Sequence, residues 1–141
     1  MGRIEMPLVA EGIRRLSCLG RLLGNGVLGD GVCLFWDEPD ANLNPRLIKA
    51  LAEVMLLLCL HGVRVFISTH SLFLLRELEI LLMMRDFKSL GRRFFGFHRG
   101  DEGVEVLSGP SVDHVGDLSA LDEELLQSQR YMDAVSPWAG R

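Results

Sequence analysis

Hydrophobic and polar positions along the chain follow two periodicities. Val9, Ile13, Leu16, Leu19, Leu22 and Leu23 recur at helical spacing, with Arg14, Arg15 and Arg21 on the other side, which predicts a helix over Val9–Leu23. Gly24-Asn25-Gly26 stops it. Residues 32–36 (VCLFW) form a short apolar run that predicts a buried strand, closed by Asp37, Glu38, Pro39 and an Asn-rich turn. A second helix has Asn44 as its N-cap and Pro45 at its first position, runs to about Leu60, and has Gly62 as its C-terminal stop. Its last part, Val54–Leu60, is apolar almost all round, so burial between the sheet and another layer is expected. Val63–Ser68 reads as a second strand. A strand–helix–strand unit of this kind is a right-handed crossover joining two parallel strands. Ser71–Leu82 predicts a third helix, with Glu77 and Glu79 near its exposed side. Arg92–His98 and Gly103–Leu107 flank a polar turn, Arg99–Glu102, and read as a hairpin. Residues 108–116 read as a loop. Leu118, Leu121, Leu125 and Met132 mark a last amphipathic helix, capped by Asp117 or Ser119, and the tail after Ser136-Pro137 is expected to fray. The expected fold class is α/β, a three-layer parallel-sheet fragment with flanking helices, then a hairpin and a C-terminal helix.

Composition narrows the picture. At 141 residues the chain is expected to form one domain, 1–141. A hydrophobic content of 48% and a mean hydropathy of +0.22 are high for a free-standing domain. The longest apolar run, Val54–Leu60, falls far short of the roughly 20 residues that a membrane span needs. The start, MGRIEMP, lacks a secretory apolar region, so a cytoplasmic location with no membrane partner is expected. A net charge of −4 gives no global reason to expect nucleic acid. Cys18, Cys33 and Cys59 are odd in number, widely spaced and set in apolar stretches, and are expected to be reduced core thiols. His61, His98 and His114 lack ligand-like spacing, which gives no zinc site. Phe94, Phe95 and Phe97 read as core and sheet cover in preference to a base-stacking platform.

The chemistry gathers where the two strands end. The first ends in Asp37 and Glu38, the second in Thr69 and His70. In open α/β sheets, ligands bind at the carboxyl ends of the strands. Paired acids there suit a magnesium–nucleotide site, one carboxylate holding the metal through its water shell and the next orienting or deprotonating water. Each residue also has a plainer reading. Asp-Glu-Pro is a plausible turn, Asn42 and Asn44 serve a turn and an N-cap, and His70 neighbours a helix cap.

Taken together, FWDEP resembles the Walker B segment of ATP-binding-cassette-type P-loop ATPases, DANLNP their D-loop, and FISTHS their switch-histidine segment. The variant resembles the soluble AAA-like ATPases near the Rad50/SMC and OLD groups more than the transporters. The resemblance covers about residues 7–80 well. It implies a signature-like region at 7–24, Walker B at 32–38, the D-loop at 40–45, the switch at 66–71 and a C-terminal subregion at 92–135. It gives Asp37 the Mg²⁺ role, Glu38 that of general base or water-orienting group, and His70 that of γ-phosphate sensor. Asn42 and Asn44 would lie at a dimer interface beside the partner's nucleotide, although transporter members carry Asp where Asn44 stands. In the signature-like stretch VAEGIRR, Ala10 stands where a soluble variant has Ser, while Glu11 and Gly12 remain. Backbone amides at Gly12 would face an anion.

No G-x-x-x-x-G-K-[ST] occurs. The glycine-rich Gly24–Gly31 lacks the Lys and the hydroxyl residue and precedes a strand, so it is rejected as a phosphate cradle. The chain therefore reads as the C-terminal half of an ATPase that binds and hydrolyses ATP with Mg²⁺. It is incomplete without a phosphate-loop half or second subunit, and forms a homo- or heterodimer. The alternative is a non-catalytic interaction or regulatory module, or a split-gene remnant, pairing with a full ATPase. A DNA-linked role rests on the resemblance alone.

Overall fold

Local signals around residue 44 set the frame. In the computed structural model, which describes residues 11–116 and 119–135, the Asn44 side chain accepts a hydrogen bond from the Leu47 amide at 3.0 Å, and Pro45 opens a helix that runs to Leu60. Asn44 satisfies one of the helix's unpaired amides, and proline at the first position gives up an amide that has no partner there. The helix ends with Gly62 at φ 83°, a left-handed backbone that glycine adopts without steric cost. A Cβ at Gly62 would also collide with the Asp30 side chain and lie 3.1 Å from the Asp30 Cα, so the position demands glycine twice over.

The elements in chain order are α1 (Glu11–Gly24), β1 (Cys33–Asp37), α2 (Pro45–Leu60), β2 (Arg64–Ser68), α3 (Leu72–Met83), β3 (Phe94–Gly100), β4 (Gly103–Gly109), a 3-10 turn (Val112–His114) and α4 (Ser119–Val135). The chain divides into two compact units. The first holds the described residues up to Thr69 together with Phe73–Leu90; the second holds His70–Leu72 and the described residues from Gly91 onward.

In the first unit β1 and β2 pair in parallel, with Cys33 opposite Arg64 and Asp37 opposite Ser68. Alternation along the strands sends Leu34, Trp36 and Val65 to one face, where they pack against Leu19 of α1, Leu58 of α2 and Val63. Helix α2 buries Ile48, Leu51, Ala52, Met55, Leu56 and Leu58, the spacing of a wide apolar stripe. Lys49 on α2 lies 3.9 Å from Glu77 on α3, whose side chain is largely covered. The opposite sheet face is open. Phe35 and Phe66 stack there with ring centroids 4.7 Å apart, and 74% of Phe35 is accessible.

In the second unit β3 and β4 form an antiparallel hairpin, with Phe94 opposite Gly109 and Gly100 opposite Gly103. The segment after β4 folds back beneath it, and the His98 Nε2 donates to the Val115 carbonyl at 2.6 Å. Gly96 makes this approach work, since a Cβ there would come within 3.0 Å of the Val115 Cβ.

The α/β class with parallel strands and flanking helices is as expected, and several details differ. Leu57 and Leu60 are exposed, because α2 has one covered stripe and not a covered circumference. Glu77 is tucked in by its ion pair instead of standing free. The hairpin turn is only Asp101-Glu102, since β3 continues through Gly100, and residues 112–114 form a 3-10 turn inside the expected loop. Cys18 and Cys33 are exposed, so only Cys59 approaches a core thiol; all three are unpaired. Phe95 and Phe97 are exposed at 55% and 72%, contrary to a core role. Met132, expected on a buried face, is 67% exposed. The expected helix start at Val9 and Ala10, the Asp117 cap, Leu118 and the tail after Ser136 lie outside the described residues.

Candidate functional site

The parallel register brings the carboxyl ends of β1 and β2 side by side, and a set of hydrogen bonds ties them together. The Ser68 hydroxyl donates to Asp37. The Glu38 amide donates to the Ser68 carbonyl at 2.9 Å, extending the ladder one residue past the strand. The Thr69 hydroxyl donates to Asp40 Oδ1 at 2.8 Å in a partly buried position. Both acidic residues flanking the turn are thus bonded to hydroxyls at the end of the neighbouring strand.

Between them the backbone turns sharply. Glu38 has φ 46° and Asn42 φ 64°, the two non-glycine residues in the left-handed region among those described. Asn tolerates that region well; a glutamate does not, and such strain persists where surrounding contacts hold it. The contacts are visible here. Pro39 is fully buried beneath the turn, and the amides of Ala41 and Leu43 donate to the carbonyls of Glu38 and Asp40. The turn hands over to α2 through Asn44.

Asp37 is exposed at its strand end, and Glu38 is half-buried beside it. Asn42 is exposed on the turn, and Asn44 acts as the helix cap. His70 follows Thr69 directly and is also exposed; it is grouped with the second unit. Glu11 and Gly12 occupy the first turn of α1. Gly24–Gly31 connects α1 to β1, with Gly26 and Gly31 at positive φ, and so leads into a strand instead of opening a helix.

The sequence assigned no role to Asp40 or Ser68, and marked Thr69 only as a polar residue closing the second strand. An acid three residues past Asp37 and a Ser-Thr pair closing the next strand were the available signals, but only the register shows that they meet.

Hard oxygen donors suit magnesium. Asp37 offers a carboxylate, with the Ser68 hydroxyl against it. Among the described residues no group of three or more His, Cys, Asp or Glu converges on a metal position. A cation that keeps most of its water and is held by one or two carboxylates and substrate phosphates fits that donor set. Also among the described residues, no helix is long and apolar enough to cross a membrane.

Residues 3–76, just over half of the chain, match the family described as "AAA domain, putative AbiEii toxin, Type IV TA system". A solved structure from work on the structural biochemistry of ATP-driven dimerization and DNA-stimulated activation of SMC ATPases is also similar. It aligns with a TM-score of 0.58 over 92% of this chain and 67% of that one, at 13% identity. At that identity the likeness is one of fold. No curated protein matches the sequence.

Proposed function

The chain belongs to this AAA-domain family, and from that premise we propose that it is the Walker B-to-switch half of an ATP-binding and ATP-hydrolysing site that a phosphate-loop half completes. The observation that carries the reading is the cross-linked strand end, where Ser68 donates to Asp37 and Thr69 to Asp40 beside a strained Glu38.

In this reading Asp37 holds the water shell of Mg²⁺, oriented by the Ser68 hydroxyl. Mg²⁺ when bound would neutralise phosphate charge. Glu38 orients or deprotonates the attacking water, and the turn fixes its direction. His70, carried on the residue after Thr69, hydrogen-bonds the γ-phosphate. Glu11 and Gly12 at the start of α1, with Asn42 and Asn44, face the nucleotide of a partner subunit. The dimerization reported for the SMC ATPase makes such a pairing a natural proposal. The Asn44 side chain is already engaged as a cap, so Asn42 is the better candidate for contact with the partner. Phosphoryl transfer depends mainly on positioning and electrostatics, so this half alone is expected to have little activity.

Calorimetry with ATP·Mg²⁺ tests this, first on the chain alone and then with a phosphate-loop polypeptide added. Binding only in the mixture is expected, with Asp37→Ala removing its magnesium dependence and Glu38→Gln keeping binding but stopping hydrolysis. The exposed Phe35–Phe66 stack favours the second reading, a non-catalytic module pairing with a full ATPase. A stoichiometric complex that binds no more nucleotide than the partner alone would establish it. Binding by the isolated chain would overturn the rejection of Gly24–Gly31.

A further inference from the structure

The β3–β4 hairpin has two unlike faces. One carries Gly96 and His98, covered by the Val115 segment, with Glu105 paired opposite His98. The other carries Phe95 and Phe97, 55% and 72% exposed, with Val104 and Val106 beside them at 71% and 50%. Arg99 is on this same face by alternation, and Arg93 precedes Phe95 by two residues with its Nε donating to Ser108 Oγ at 3.2 Å. Two exposed rings are thus bracketed by two guanidiniums. Of the acids in the hairpin, Asp101 lines the same shallow concavity as Phe97, Arg99 and Val104, Glu102 is at the tip, and Glu105 pairs opposite His98 on the covered face.

We propose that this face binds single-stranded nucleic acid, the rings stacking on bases and Arg93 and Arg99 meeting the flanking phosphates. An apolar protein partner would leave two charges to be desolvated at its edges. A nucleic acid strand supplies both the π-faces and the anions. Residues two apart on a strand advance about 7 Å, roughly twice the ~3.4 Å rise per nucleotide in a duplex strand. Each ring therefore takes its own base, and the bases must be unstacked from one another, which selects single strands over duplex. The Arg93–Ser108 bond uses one of the five guanidinium N–H groups and holds the side chain on this face. The net charge of −4 removes long-range steering, so binding is local and modest. The proposal is independent of the nucleotide site.

Fluorescence anisotropy of the full chain, without ATP, tests it with labelled 15-residue oligothymidylate, oligouridylate and a duplex, lengths of about the upper site size of one binding fold. Both single strands are expected to bind more tightly than the duplex, and their ratio identifies whether DNA or RNA is preferred. Two phosphate contacts give a salt slope of about −1.4, so affinity falls about seven-fold between 50 and 200 mM salt. Arg99→Ala should cut that slope by about 0.7. Phe97→Ala should weaken binding at least roughly five-fold, the low end for one stacked base. Phe97→Leu keeps the apolar bulk, and with it the fold, and should lose as much; Asp37→Asn should lose nothing. Absence of binding, binding that tolerates Phe97→Leu, or tighter binding of the duplex would each overturn the proposal. So would self-association that Phe97→Ala abolishes in place of nucleic-acid binding.

Discussion

Glu38 is where conformation and chemistry press on one residue. A left-handed backbone costs an L-residue roughly 1–2 kcal/mol, and glycine's extra unfolded-state freedom returns roughly 0.5–1 kcal/mol of any gain. Relief of the strain in Glu38→Gly is therefore expected to contribute about 0 to 1.5 kcal/mol of stability, set against the loss of the side chain's own contacts. Glu38→Gln, which keeps the strain, should not move the urea midpoint. A marked loss of stability in the glycine variant would mean that the side chain, not the turn, is what the fold requires. The cysteines differ in the same local way. Burial pushes the Cys59 thiol up, with a weaker opposing effect from its backbone hydrogen bond with Val65, while Cys18 and Cys33 are exposed. The thiolate is the reactive form, and a raised pKa leaves less of it at any pH below that value. Mass spectrometry after iodoacetamide at pH 8 should find Cys18 and Cys33 alkylated before Cys59, the gap narrowing as pH rises.

At the scale of elements, α2 connects the candidate site to the core. Its N-terminus is fixed by Asn44, and its stripe from Ile48 to Leu58 anchors it against the sheet. Asn44→Ala removes the side-chain acceptor for the Leu47 amide and is expected to cost about 1 kcal/mol. Asn44→Asp or Asn44→Ser should keep most of that stability, measured by urea denaturation at constant slope. An Asn44→Ala variant as stable as the parent would free Asn44 for the interface role. The N-cap, Pro45 and Gly62 could all be read from sequence, because each reflects a local backbone rule. The hairpin was legible as an element, but not the face it presents. Phe94, Phe95 and Phe97 are equally apolar, and only the fold-back of Val115 against Gly96 decides which side is covered.

For the whole molecule, the open sheet face stands out. Phe35 and Phe66 stack on each other across β1 and β2 and stay exposed, on the face that also carries Cys33 and Asp37. Exposed apolar patches favour association. Phe35→Ser is expected to lower the concentration-dependent light scattering of the chain and to cost less than about 1 kcal/mol in stability, since the ring is mostly in water already. Unchanged scattering would move the adhesive surface elsewhere, to the exposed phenylalanines of the hairpin.

Sequence alone determined the order and type of the elements, the α/β class, and the acids at the end of β1, because periodicity, caps and turn residues act over a few neighbours. It also carried three segments that resemble motifs of ATP-binding-cassette-type ATPases, and residues 3–76 match the AAA-domain family. The tertiary structure decided which side chains meet. Strand register is a long-range property, and a shift of one residue would reverse every side chain. The pairing of Asp37 opposite Ser68 therefore had to come from the folded chain, as did the Thr69–Asp40 bond. The same holds for burial: Cys33, Phe35 and Phe97 are apolar enough for a core, and they are exposed because none of the described residues forms a packed layer over their faces.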